Sequence, residues 1–432
     1  MQQRKAIRLP DEITLQQLLN WGSRFDTCML LDSNSGNTGQ KDPLHAFDFC
    51  LATGSISNIE ARVAPFENLY RFHQDCNDWI FGHFSYDLKN TNYKLHSDHP
   101  DHIHFPLLHF FQPRYVFLSN DDCIHLYYHT DHDDEKSAHI IIEKLLTQAP
   151  TASIKAAAIN LQQRMTKAAY LESAKKMLQH IQLGDIYEAN FCMEFYEENV
   201  IVDAPGLFTK LNSISPMPFA AFYRLKDHYL LCASPERFLA KRGDRLISQP
   251  IKGTARRGAT EAEDNEIAAG LLNDRKELSE NIMITDLVRN DLSITALRGS
   301  VQVEELTALK TYPRVHQLVT TISSRLDSRF NWCDAIKSSF PMGSMTGAPK
   351  LRAMQIIEDL EKTRRGLYSG SVGYVTPEGD FDFNVVIRSI QYNQSTGYIS
   401  AMVGSALTAG CDPEKEYDEC LLKLSTMRKA LE

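Results

Sequence analysis

Residues 367–407 carry three strand-like stretches, "LYSGSVGYVTP", "FDFNVVIRSIQYN" and "GYISAMVGSAL", separated by short turns and by no helix. Strands joined that closely pair as antiparallel neighbours, because a parallel pair needs a crossover of a dozen residues or more. The same habit occurs earlier, where "RYVFLSN" and "CIHLYYHT" are separated by an Asn-Asp turn. "HYLLCASPERFLAKR" reads as a further strand, and helical periodicity falls at 136–146, 165–183, 263–290, 332–338, 350–363 and 413–431. Strand pairs and separate helices without strict alternation specify an α+β fold rather than a doubly wound parallel sheet.

The 432 residues are enough for a large core, and 43% hydrophobic with 23% charged is the balance of a globular protein. A formal net charge of −9 argues against nucleic acid as the main partner, since phosphate binding usually shows a basic face. The first residues contain no apolar run of signal-peptide length, and no stretch approaches the ~20 apolar residues of a membrane helix. Nine cysteines without a Cys-x-x-Cys spacing fit reduced thiols, so the expected setting is cytoplasmic. The small, polar stretch "LTQAPTASIKAAAIN" (146–160) marks a boundary between an N-terminal region, 1–155, and a region that carries the chemistry, 156–432.

Five features of the second region carry chemistry. In "QPIKGTARRG" (249–258), Lys252 stands between a strand end and a Gly-Thr turn, either solvated or held for reaction. Glu277 and Glu280 share a face of one helix, and Glu416 and Glu419 share a face of another that Asp412 can cap and Pro413 can begin. Such pairs are either solvated faces or a set of hard oxygen ligands suited to Mg²⁺. "SFPMGSMTGAPKLRAMQIIEDLEK" runs from a Gly-containing loop into an amphipathic helix, so the N–H groups of residues 345–348 and the Lys350 ammonium are expected to receive an anion. Arg388 alternates with apolar neighbours in "NVVIRSIQY" as a carboxylate clamp or an edge charge, and Glu236 in "ASPERFL" is a candidate general acid. The set describes an enzyme acting on a small polycarboxylate.

"SPERFL", "PIKGTARRG", "ELSENIMITDLVRNDL", "FPMGSMTGAPKLRAMQIIEDLE", "SGSVGY" and "VIRSI" occur in the order found in the chorismate-utilising enzymes. That family includes the large subunits of anthranilate synthase and aminodeoxychorismate synthase, and the isochorismate and salicylate synthases. The resemblance covers about residues 165–430, with weaker matches at "LLDSNS" (30–35) and "FGHFSYDLKN" (81–90). It implies a large sandwich of two antiparallel sheets flanked by helices, with the site in a cleft between the sheets. It also implies Mg²⁺ on Glu280 and one of Glu416 and Glu419, with Glu277 and the remaining glutamate holding ligand waters. Contacts to chorismate are implied for Thr254, Thr346, Gly347, Lys350, Arg388, Tyr398, Gly404 and Ser405.

Three positions separate the branches of that family. Anthranilate synthases resemble "PIAGT", whereas aminodeoxychorismate synthases commonly read "PIKGT", as here. In the latter branch the lysine amine attacks carbon 2 of chorismate and displaces the carbon 4 hydroxyl, before ammonia adds at carbon 4 and expels the lysine. A site holding Mg²⁺ and arginines is expected to depress the pKa of Lys252, and Glu236 is expected to protonate the departing hydroxyl. Isochorismate and salicylate synthases carry a lysine where this chain has Glu188, in "GDIYEANF", which argues against their reactions. Anthranilate synthases have a histidine, linked to loss of pyruvate, directly before "LVS"; here that position is Gln317, with His316 one residue earlier. The resemblance therefore implies amination of chorismate to 4-amino-4-deoxychorismate for folate synthesis. It further implies a separate glutamine amidotransferase as ammonia donor and, through "LLDSNS", a conceivable tryptophan pocket in which Asp32 replaces the family's glutamate.

Overall fold

A computed structural model of the chain describes residues 4–38, 42, 44–121, 123–147 and 158–432, so the boundary expected at 155/156 lies outside the described residues. Every strand pairing in it is antiparallel. A first sheet runs Arg4–Arg8, Cys123–His129, Leu108–Asn120, Phe49–Glu60, Thr27–Asp32, Phe219–Leu225, His228–Ser234, Ser389–Asn393, Tyr398–Thr408, Glu188–Glu197. A second begins where the first half of Leu108–Asn120 pairs with Ile80–Phe84. It continues through Ser371–Val375, Phe381–Asn384, Arg237–Arg242, Arg245–Gln249 and Val315–Arg325, the last also pairing with Ile251–Arg256 and Gln302–Thr311. The long Leu108–Asn120 strand thus belongs to both sheets, and a register shift opposite it between Ser55 and Ser57 gives the bulge that bends the ribbon from one into the other.

Met29, Ala52, Phe81, Phe111, Tyr223, Leu230, Val372 and Tyr374 pack between the sheets. Helices Lys167–Gln182, Ala204–Ile214 and Pro413–Leu431 cover the outer face of the first sheet, and Pro65–Cys76, Arg275–Ser293 and Trp332–Ser339 that of the second. The result is the helix-flanked, two-sheet antiparallel sandwich expected from the sequence. Among the described residues no helix is long and apolar enough to cross a membrane.

Three local readings change. The helix expected over 263–290 is two helices, Glu261–Leu272 and Arg275–Ser293, because the Asp274 carboxylate accepts from the N–H groups of Lys276 and Glu277 and starts a new helix. "HYLLCASPERFLAKR" is also two strands. His228–Ser234 pairs in the first sheet and Arg237–Arg242 in the second, so Pro235 and Glu236 lie where the chain crosses between them. "FDFNVVIRSIQYN" is likewise two strands, Phe381–Asn384 in the second sheet and Ser389–Asn393 in the first, so Arg388, with φ +50, lies not in a strand but in a second crossing, residues 385–388. The two are tied by the Val385 N–H on the Glu236 carbonyl and the Ala233 N–H on the Arg388 carbonyl.

Candidate active site

These paired crossings set Glu236 and Arg388 side by side on the wall of a cleft of about 590 Å³. The second sheet contributes Ile251–Arg256, whose register against Val315–Arg325 shifts between Ile251 and Thr254. Gly253 takes φ +88 in this bulge, a conformation glycine adopts without strain, and Lys252 is thereby turned into the cleft. The Lys252 Nζ donates to Glu188 Oε1 at 2.6 Å, with the Glu188 side chain only 1% exposed. Burial alone would lower the Lys252 pKa, but Glu188, Glu280 and Glu236 overcome it and hold the ammonium above the usual lysine range. Among the described residues the carboxylates around Lys252 thus raise its pKa, opposite in sign to the depression expected of a site that holds Mg²⁺. Burial raises the Glu236 carboxyl to about 7, with Ser344, Lys252 and Arg388 among the groups opposing the rise. Burial likewise lowers the Arg388 guanidinium, which makes no hydrogen bond or ion pair with the described residues and so presents its full fork to the cleft.

The helices Arg275–Ser293 and Pro413–Leu431 bring Glu277, Glu280, Glu416 and Glu419 to the same cleft. Lys276 Nζ sits between the pairs, 2.7 Å from Glu416 Oε1 and 3.7 Å from Glu280 Oε1, while Lys423 holds Glu419 at 2.7 Å. Burial raises Glu280 to about 7 and also raises Glu277 and Glu416; for Glu419 burial is outweighed by Lys423 and the carboxyl falls. Glu280 Oε1 and Glu416 Oε2 are buried without a hydrogen-bond partner. Two orphaned oxygens facing one cleft, with two further carboxylates beside them, are a donor set that fits a hard divalent cation. Among the described residues the carboxylates do not converge into a closed three-ligand cluster.

Of the residues implied to touch substrate, Thr254, Arg388 and Gly404 line the cleft. A Cβ at Gly404 would meet Cys192 Sγ at 2.5 Å and Asn190 Oδ1 at 2.6 Å, so the strand needs a glycine there. Ser405 points to the opposite face by strand alternation, against the Tyr170 hydroxyl. Tyr398 is six residues, about 20 Å, from Gly404 along the strand and bonds Glu194 and Arg164. Thr346 is buried with its hydroxyl on the Met342 and Gly343 carbonyls, and Gly347 is clamped against Ala189. The anion receptor expected at residues 345–348 is not formed: the Met345 and Thr346 N–H groups close a turn on Met342 and Gly343. Lys350 is equally committed, donating to Asp291 Oδ2 at 2.6 Å, the Ser339 carbonyl at 3.1 Å and the Pro341 carbonyl at 2.8 Å, away from the cleft.

Gln317 lines the cleft and its Nε2 donates to Thr254 Oγ1, whereas His316 points to the other side of the strand and bonds Asp264 and Thr311. Of "LLDSNS", Leu31, Asp32 and Ser33 line a small cavity of about 40 Å³. There the Asp32 carboxylate is taken up by the Asn34 N–H and the Asn212 amide. Sequence reasoning missed Lys276, Ser344 and Asn190 as cleft residues, and missed Asn281, buried with its amide toward the Lys252 and Leu318 carbonyls.

Comparison with known proteins agrees with this arrangement. Residues 20–429 match the family described as chorismate binding enzyme. Anthranilate synthase component 1 of Thermus thermophilus is 33% identical over 359 residues, covering 82% of this chain and 77% of that protein. Aminodeoxychorismate synthase component 1 of Bacillus subtilis is 32% identical over 370 residues, covering 83% and 78%. The crystal structure of anthranilate synthase component I from Streptococcus pneumoniae superposes with a TM-score of 0.79 at 22% identity, over 90% of this chain and 93% of that one. With a match that runs through both sheets and every wall of the cleft, the chain belongs to the chorismate binding enzymes.

Proposed function

We propose that the chain is the chorismate-aminating component of an aminodeoxychorismate synthase, forming 4-amino-4-deoxychorismate. The observation that carries this reading is the amine of Lys252, turned into the cleft by its bulge between Glu188, Glu236 and Glu280. As a free amine Lys252 attacks carbon 2 of chorismate, the ring double bonds shift, and the carbon 4 hydroxyl departs as water with a proton from Glu236. Glu236 is suited to that task because burial keeps it protonated to about pH 7. Ammonia then adds at carbon 4, the double bonds return, and the bond from carbon 2 to Lys252 breaks. Arg388 offers an unpaired guanidinium for a substrate carboxylate.

Glu280 with Glu416 or Glu419 would hold Mg²⁺, Glu277 and the remaining glutamate helping through waters, and the ion would supply charge neutralisation for a ring carboxylate of chorismate. Ammonia comes from a separate glutamine amidotransferase subunit in this reading. The resemblance to anthranilate synthases suggests the competing reaction, but Gln317 rather than a histidine faces the cleft, and the described residues that line it include no imidazole to assist loss of pyruvate.

The test is mass-spectrometric product identification from the purified protein with chorismate, Mg²⁺ and an ammonium salt. Aminodeoxychorismate without pyruvate is expected, with loss of activity in Lys252→Ala. Anthranilate with pyruvate, or a fully active Lys252→Ala, would sink the reading.

A further inference from the structure

Resting on that reading, we infer that Glu188 is the base that converts the Lys252 ammonium into the attacking amine. A lysine that must act as a nucleophile has to lose a proton first, and the groups around its Nζ are few. Glu236 has to keep its own proton for the departing hydroxyl. Glu280 and Glu277 on one helix, and Glu419 on the other, belong to the set that would hold the cation. Glu188 has none of these duties. It lies at the start of Glu188–Glu197 in the first sheet, so its contact with Lys252 joins the two sheets. Its Oε1 already accepts from Nζ at 2.6 Å, and its Oε2 is buried with no hydrogen-bond partner among the described residues. A carboxylate that existed only to anchor a structural ion pair would have both oxygens satisfied.

The protons balance. Nζ–H⁺ passes to Glu188, the amine bonds to carbon 2, and the hydroxyl leaves with the proton of Glu236. Ammonia then bonds to carbon 4, and the carbon 2–nitrogen bond breaks with its electron pair returning to Lys252. Glu236 takes a proton from the new ammonium, and Lys252 recovers its own from Glu188.

The test is single-turnover adduct formation on Lys252, followed by intact-protein mass spectrometry with chorismate and MgCl₂ in the absence of ammonia. Glu188→Gln keeps an acceptor for the lysine but removes the base. It is expected to slow adduct formation ~100-fold, the usual scale for a lost general base, with chorismate affinity unchanged. A merely electrostatic role gives the opposite sign: without the carboxylate that keeps it charged, Lys252 would be a free amine more often and would react faster. Unchanged or faster adduct formation in Glu188→Gln therefore overturns the inference. Glu188→Asp, which retains a carboxylate one methylene further back, is expected to recover part of the rate, and it carries the test if the amide variant does not fold. An aspartate variant with wild-type rate and weakened chorismate binding would also overturn it. Absence of the adduct from the wild type refutes the amination reading itself, before Glu188 is altered.

Discussion

Lys350 separates a ligand-binding role from a structural one, and Lys350→Met tests which it plays. Methionine nearly matches the length of the lysine, so packing is kept while the charge and its donors are lost. The variant leaves Asp291 without its 2.6 Å partner and deprives the Ser339 and Pro341 carbonyls of a donor. Both side chains of the pair are under a tenth exposed, so breaking it falls in the range for a buried pair, about 3–5 kcal/mol. The loss has a pH signature. Burial, opposed by Lys350, already raises Asp291 from 3.8 to about 6. A folded pKa above the unfolded value means the native state gains from protonation: the favourable contribution is complete below about 4 and is lost as pH rises through the folded value. Without Lys350 that value moves higher still, so the deficit should shrink as the pH is lowered from 8 towards 5. Urea denaturation followed by tryptophan fluorescence reads both effects, because Trp332 is buried in the helix that ends at Ser339. The expected result is a lower midpoint with unchanged KM for chorismate, and a smaller added cost when Asp291→Asn is combined with it. An unchanged midpoint with KM raised tenfold, about 1.4 kcal/mol of lost binding, would refute the reasoning and return Lys350 to the substrate.

Three further outcomes are expected. Adduct formation without ammonia should decline as pH rises through about 7, because Glu236 must be protonated to release the hydroxyl; a rate independent of pH from 6 to 9 would exclude it as the acid. Gly253→Ala should lose most activity and about 1–2 kcal/mol of stability, since φ is +88 there and the added Cβ would lie 3.2 Å from Leu318 Cδ1; wild-type turnover would show that the bulge does not aim Lys252. L-Tryptophan at millimolar concentration should leave the thermal midpoint unchanged, because the cavity beside Asp32 is about 40 Å³; a rise in midpoint would mean that the pocket opens.

What was legible in the sequence follows from how far apart the interacting residues are. Antiparallel pairing could be read from short turns, and the helix Pro413–Leu431 from Asp412 and Pro413, because these are local signals. The presence of Lys252 and Glu236 in distinctive motifs was also plain. The charge state of Lys252 was not, since it depends on Glu188, 64 residues away in sequence, and on two other carboxylates. Lys350 was misread for the same reason: a loop leading into a helix is a good anion site only if nothing else claims the lysine, and Asp291 is 59 residues distant. Ser405 and His316 are different. Period-2 alternation along a strand already sets each opposite its cleft-lining neighbour, Gly404 and Gln317 respectively, so their placement was available from pattern alone.

The strand shared by the two sheets bears on how the chain can be divided. A fragment beginning after residue 157 would keep every cleft residue named above, yet it would lose Thr27–Asp32 from beside Phe219–Leu225 and Ile80–Phe84 from beside Ser371–Val375. Both strands left behind are apolar and would expose rows of unpaired N–H and C=O groups. Such edges recruit strands from other molecules. The isolated catalytic segment would thus be a template for aggregation, and the N-terminal third covers both of those edges.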